Sequence, residues 1–326
     1  MADKAREWTD AHLREMEKHL KSVYTQAQSE ITDKWRDYMA RGEDRLQDLH
    51  HAWVTAPADQ KAAMLRRYQD ALRAYTLQNK WYRDMVDATT YRLAHVNEIA
   101  IAYVNGEIPK VYAQNFNYLD PDALLIKSNW TLRNEEMVRN LMIDSLPQKT
   151  LNIAKDMAWN TKQINNAVLQ GILQGEGIPK IAKRIVPIVD NNRAAAVRTA
   201  RTMVTGAENK GRQDRYAEYA EEGLVIHKVW IATPDHRVRN WHLDMDGQEV
   251  PENETFTDGL GQELMYPGYP GAPANTVYNC RCSMRSHILG VKRHGRFTPM
   301  KEYRTEKTYH EKQIDTEREI REEMYG

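Results

Sequence analysis

The sequence predicts an α+β protein: a long N-terminal helical arm, then a compact helix-then-strand module with long loops. Three observations carry this. Apolar residues recur at spacings of three and four over most of the first 220 positions. An apolar, β-branched run, Val225-Ile226-His227-Lys228-Val229-Trp230-Ile231, follows Gly223. Between Val229 and Ser286, glycines at 247, 259, 261, 268 and 271 and prolines at 251, 267, 270 and 273 gather with both cysteines of the chain.

The chain has 326 residues, with 46 Lys and Arg balanced by 46 Asp and Glu. A net charge of zero removes any global electrostatic case for nucleic acid, a membrane surface or an acidic substrate. Mean hydropathy is −0.76 and 28% of residues are charged, which suits slender helices with much exposed surface. No apolar run approaches the roughly 20 residues that span a bilayer, and Met1 to Trp8 lack the apolar core of a signal peptide. A disulfide across the Cys280-x-Cys282 step is strained, so the thiols are expected to be reduced, in a cytosol.

Taken in order, Leu13, Met16, Leu20, Val23, Ala27, Ile31, Trp35 and Tyr38 form a narrow helical stripe. It suits a hairpin within one chain or, alternatively, docking on a partner or a second copy. Gly42 and the stretch from Asp44 to Thr55 weaken the pattern, and Pro57 suits the first turn of a new helix. Met64, Tyr68, Leu72, Tyr75, Trp81, Met85, Leu93, Val96 and Ile99 carry the stripe to about Val104. Asn105-Gly106 is expected to break the helix, and Ile108-Pro109 to enforce an extended exit, with Val111 to Tyr118 as loop or strand. Asp120-Pro121 reads as a cap and first-turn proline, with short helices to about Asp144 and a break at Leu146-Pro147. A helix from 148 to 170 follows, then a turn at Gly171, Gly175 and Gly177 and a short helix from Ile178 to Ile185. Asn191-Asn192 precedes a strong helix from Arg193 to about Glu222, ended by Gly223.

Several signatures then stand in a fixed order: the Gly-rich turn with Ile181-Ala182-Lys183-Arg184-Ile185, Ala200-Arg201-Thr202, and Trp230-Ile231-Ala232-Thr233. Asp235, Arg239, His242, the Asp246-Gly247 turn, Phe256, a Pro/Gly loop and Asn279-Cys280-Arg281-Cys282 follow. Over residues 148–286 this order resembles the Mu-F-like family of phage head morphogenesis proteins, the minor capsid proteins of tailed phages and prophages. Met203 stands where that family usually has Glu, and Val238 where it often has Thr. The resemblance implies a structural role. Such proteins are present in a few copies per capsid, bind the portal protein and the major capsid or scaffolding protein during procapsid assembly, and influence DNA entry. It implies location in the virion, in the capsid interior or at the portal vertex, and in the host cytoplasm during assembly. The expected organisation is an arm for docking (1–147), a head morphogenesis domain (148–290) and a flexible charged tail (291–326).

Cys280, Cys282 and His242 form a candidate structural zinc site, to which a folded-back loop would add His236 or Asp235. The competing reading is a pair of buried thiols within a hydrogen-bonded loop. Asp235, Arg239, His242, Asp246, Gly247, Asn279, Arg281, Arg201 and Thr202 are expected to form a structural polar network. The alternative is catalysis, by an Asp235–His242 acid–base pair, a zinc hydrolase using His242, or a remote relative of ADP-ribosyltransferases. No complete catalytic constellation is readable, so the chain is expected not to be an enzyme. Past residue 290, Lys292, Arg293, Arg296, Lys301, Arg304 and Lys307 give a basic, aromatic-studded stretch suited to phosphates of double-stranded DNA.

Overall fold

Apolar side chains at spacings of three and four keep the first helix, α1 (Lys4–Thr55), continuous for 52 residues. In the computed structural model, which describes residues 3–142, 146 and 148–304, α2 (Lys61–Tyr75), α3 (Lys80–Phe116), α4 (Pro121–Ile126) and α5 (Glu135–Met142) follow. Next come α6 (Ile153–Leu173), α7 (Ile178–Lys183) and α8 (Val186–Glu221). The last third holds β1 (Leu224–Ile231), α9 (Asn240–Leu243), β2 (Glu249–Pro251), β3 (Phe256–Thr257), β4 (Glu263–Leu264), α10 (Ala274–Val277), β5 (Ser283–Arg293) and β6 (Arg296–Pro299). The protein is α+β, helices first and a small antiparallel sheet last. No helix among the described residues is long and apolar enough to cross a membrane.

The chain forms two compact units, each gathered from separated stretches. One comprises Met1–Leu13, Gly106–Gln148 and Thr199–Gly326; the other comprises Arg14–Asn105 and Lys149–Arg198. Helices α1, α3 and α8 contribute to both.

The second unit is all helical. Met16, Leu20, Tyr24, Ala27, Ile31 and Trp35 line one side of α1 and are at most 3% exposed. Trp35 meets Tyr82 edge-on and donates from Nε1 to Thr89 Oγ1 at 2.9 Å, so the stripe on α1 is occupied from within the same chain. Gly42 does not end the helix. The Tyr75 ring lies where its side chain would be, with a ring carbon 2.2 Å from a Cβ built there, so this glycine is a packing site. Buried amides tie the layers: Asn97 donates to Asn192 Oδ1 at 2.7 Å, and Asn192 to Asn160 Oδ1 at 2.9 Å. Asn192 is therefore interior to α8, which begins at Val186, ahead of the start expected at Arg193. Likewise α6 starts at Ile153, capped by Asn152, and runs through Gly171 to Leu173.

The expected break at Asn105-Gly106 and extended exit at Pro109 do not occur, because α3 continues to Phe116 with Pro109 inside it. A helix-interior proline costs about 3 kcal/mol. Ile108, Val111, Tyr112 and Phe116, each at most 1% exposed, offset that by roughly 1.5–3 kcal/mol apiece. Asp120 does cap α4, accepting from Asp122 N at 2.9 Å.

The first unit holds a four-stranded sheet in the order β2-β1-β5-β6, antiparallel throughout, and the separate β3–β4 ribbon. Gly223 ends α8 at φ +91° and turns the chain into β1. Trp230 pairs with Met284, and both lie in a core that also takes in Met245, Phe256, Cys280 and Cys282. Residues 291–304 were expected in a flexible tail. Instead β5 runs to Arg293, β6 pairs back onto it, and 300–304 is helical, because Val291 and Met300 are apolar and buried. His294 and Gly295, at φ 49° and 79°, form the left-handed pair of a tight hairpin turn. The helix end near Asp144, Pro147 and everything beyond Arg304, Lys307 included, lie outside the described residues.

Candidate functional site

Helix α8 carries Thr202, Thr205, Asn209 and Arg212 at spacings of three, four and three, which puts them on one face. This polar stripe bonds the backbone of residues 279–284 rung by rung. Thr202 Oγ1 accepts from Asn279 N at 2.8 Å, and Thr205 Oγ1 donates to Cys280 O at 2.7 Å. Asn209 donates to Cys282 O at 3.3 Å and accepts from Met284 N at 3.1 Å; Arg212 donates to Met284 O at 2.8 Å. The lengths agree, since ten residues of helix rise about 15 Å and five of extended chain cover about 16 Å. Arg281 O accepts from Arg6 and from Thr233 Oγ1, at 2.8 and 2.7 Å. Every carbonyl from Cys280 to Cys282 thus has a side-chain donor before the segment enters β5.

Cys280 and Cys282, two apart, share one side of this segment. Helix α9 sets His242 against them, with Nδ1 3.5 Å from Cys280 Sγ and 3.7 Å from Cys282 Sγ. All three are at most 2% exposed, and their potential ligand atoms lie within 4.8 Å of one another. Cys282 N donates to Cys280 Sγ at 3.4 Å. The bond from the Cys280 thiol draws Cys282 well below its ordinary value; burial opposes this, and His242 adds to it. The same bond, and then burial, push Cys280 up. The His242 ring stands edge-on to Trp230 at 5.6 Å. A cavity of about 10 Å³ lies beside the cluster, lined by Thr233, Val238, Arg239, His242, Cys280 and Cys282 among others.

Around the cluster, Asp235 accepts both guanidinium nitrogens of Arg281, one at 2.8 Å. That bond first, and the Arg237 backbone N–H second, hold its carboxyl well below the usual range. Arg239 stands just before α9 without capping it, and its guanidinium donates to Tyr278 O. Asp246 accepts from Ala232 N at 2.8 Å, and Gly247, at φ +77°, donates to Trp230 O at 2.9 Å.

Residues 162–285 match the family described as phage Mu protein F like protein. The likeness to that family is confined to residues 162–285. Minor head protein GP7 of Bacillus phage SPP1 is 33% identical over 124 residues, covering 37% of this chain and 40% of that protein. The NAD(+)--arginine ADP-ribosyltransferase EFV of Enterococcus faecalis is 29% identical over 162 residues, covering 49% of this chain and 33% of that protein. The matches therefore span well under half the length of these curated relatives. No solved structure matches the chain.

Within residues 162–285, Cys280, Cys282 and His242 come together, and Thr202 and Asn279 meet across the ladder. Arg201 lies next to Thr202 on α8, half-buried. His236 is exposed and outside the cluster. Asp235 is engaged by Arg281 while His242 Nδ1 faces the thiols, so these two do not form an acid–base pair. Lys292, Arg293 and Arg296 are exposed on the β5–β6 hairpin, Arg304 pairs with Asp122, and Lys301 lies in the helical stretch.

Sequence reasoning missed Thr205, Asn209 and Arg212, although their three-four-three spacing was visible. It also missed Lys228, fully buried in β1, whose Nζ donates to Gln213 Oε1 at 2.9 Å and Met265 O at 2.7 Å. Burial lowers its pKa to about 8, against a small opposing effect of Glu252. Period-two alternation with Ile226 and Trp230 had placed it on the inward face.

Proposed function

We propose that this chain is a head-morphogenesis protein of a tailed phage or prophage. It docks on the portal and on the inner capsid or scaffold during procapsid assembly and stays in the virion near the portal vertex. The helical arm, residues 1–147, supplies docking surface, and residues 148–290 form the morphogenesis module. One observation carries this reading. The segment matching the family, 162–285, contains both sides of the ladder, from Thr202 to Arg212 and from Asn279 to Met284. Its polar side chains are engaged by its own backbone, which builds a rigid support. Relatives named as a minor head protein and as an ADP-ribosyltransferase both align with this chain, as expected of a scaffold carried by proteins of different activity.

A second contact falls to the β5–β6 hairpin. Lys292, Arg293 and Arg296 surround an exposed turn beside half-exposed Phe297, an arrangement suited to phosphates of packaged DNA.

Deleting the gene from the phage genome tests the reading. Filled heads are expected to fall sharply and to return on complementation with the wild type or with Asp235→Asn. Mass spectrometry of purified heads should find the chain. Normal head yield without it would contradict the proposal, as would transfer of ADP-ribose from NAD+ to arginine peptides by the purified protein.

A further inference from the structure

We infer that Cys280, Cys282 and His242 form a three-donor site for a zinc-like divalent cation, completed by one water, that clamps α9 to the segment entering β5. This goes beyond the docking reading and stands or falls independently of it. The donor set comes first: two thiol sulfurs and one imidazole nitrogen suit zinc, whose usual ligands these are. Spacing comes second. Zinc–sulfur bonds of about 2.3 Å and zinc–nitrogen bonds of about 2.0 Å at tetrahedral angles set sulfur and nitrogen about 3.5 Å apart. The two distances from His242 Nδ1 are 3.5 and 3.7 Å, one to each sulfur. The third point is the fourth position. The cavity against the three donors holds about 10 Å³, close to the room of one water. Charge is also consistent, since two thiolates neutralise a divalent ion beside a neutral imidazole, and the neighbouring Asp235 is already paired with Arg281.

Preorganisation supports the same assignment. The carbonyls of Cys280, Arg281 and Cys282 are all held by side chains, so the spacing of the sulfurs is set by the ladder. Trp230 packs against the His242 ring, which fixes its approach.

The test uses the full chain, purified under reducing conditions from cells grown with zinc. Elemental analysis is expected to find stoichiometric zinc, and replacement by cobalt to give the visible bands of a tetrahedral thiolate site. Azide added to the cobalt form should shift those bands, because a water is exchangeable. In wild-type protein the thiols should resist a thiol reagent until a chelator is added, a readout that needs no variant to fold. Cys280→Ser and Cys282→Ser should each lose the cobalt bands, and His242→Gln should weaken zinc retention at least tenfold. The proposal is overturned if folded, reduced wild-type protein takes up neither zinc nor cobalt. Zinc retained in full by both cysteine variants, or cobalt bands unmoved by azide, would also overturn it.

Discussion

Asn209 is fully buried, and its side-chain amide bonds to the backbone of both Cys282 and Met284. Asn209→Ala would leave those groups unpaired in the core, where each costs roughly 1–3 kcal/mol, so a total loss of about 2–6 kcal/mol is expected. Thr202 makes the outermost rung and is half-exposed, so Thr202→Ala should cost under about 1 kcal/mol. Urea unfolding midpoints separate the two, and equal losses would contradict a ladder anchored at its buried end. Lys228 gives a pH signature. Its folded pKa is about 8 against an ordinary 10.5, so between those values the unfolded chain holds the extra proton and stability rises with pH. Buried Tyr219 and Tyr266 are shifted upward and act the other way above about pH 10, where free tyrosine titrates. The readout is the stability of the wild type minus that of Lys228→Met, expected to climb between about pH 7.5 and 9.5. A flat difference would show that Lys228 keeps its proton when buried, with no lowered pKa. At this scale the sequence made Cys280, Cys282 and His242 visible, because thiols and imidazoles are rare and chemically distinct. The ladder was not visible, because the partners of its side chains are backbone N–H and C=O groups, which carry no mark in the sequence.

Glycines and a proline on the long helices show what local signals miss. Gly106 in α3 has nothing within 4 Å of an added Cβ, whereas one at Gly211 in α8 would meet Tyr112 O at 2.5 Å. Gly106→Ala is expected to stabilise the protein by about 0.5–1 kcal/mol, by lowering the freedom of the unfolded chain. Gly211→Ala should destabilise it by roughly 1–3 kcal/mol, because the contact is with backbone and the two helices must separate. Thermal unfolding of both variants tests this, and a gain at Gly211 would show that the helices can part freely. The weakening expected at Gly42, the break expected at Asn105-Gly106 and the extended exit expected at Pro109 failed for one reason. Each residue weakens a helix locally, while packing of the half-buried Tyr75 ring against Gly42, and burial of Val111, Tyr112 and Phe116 beyond Pro109, are decided by residues distant in sequence. The cap at Asp120 and the stop at Gly223 were legible because their determinants are local.

For the whole molecule, periodicity sufficed for the α+β class, since long helical stripes and one β-branched run leave few alternatives. It could not reveal that α1, α3 and α8 each serve two units, because that depends on which distant segments share a core. The β5–β6 hairpin was hidden by its charge: Lys292, Arg293 and Arg296 read as tail, while Val291 and Met300 carry the burial that holds the hairpin in place. If this hairpin meets DNA, replacing its three basic residues should lower retention on duplex DNA and flatten its salt dependence. Docking without turnover is the property on which the functional reading depends. Light scattering on the full chain mixed with the portal protein of the same phage measures it most directly. The expected result is a stable co-eluting complex, kept in Asp235→Asn and Arg239→Gln, both of which leave the α8 ladder intact. No complex with wild-type protein, or one abolished by Asp235→Asn in a variant that unfolds at the wild-type midpoint, would contradict it.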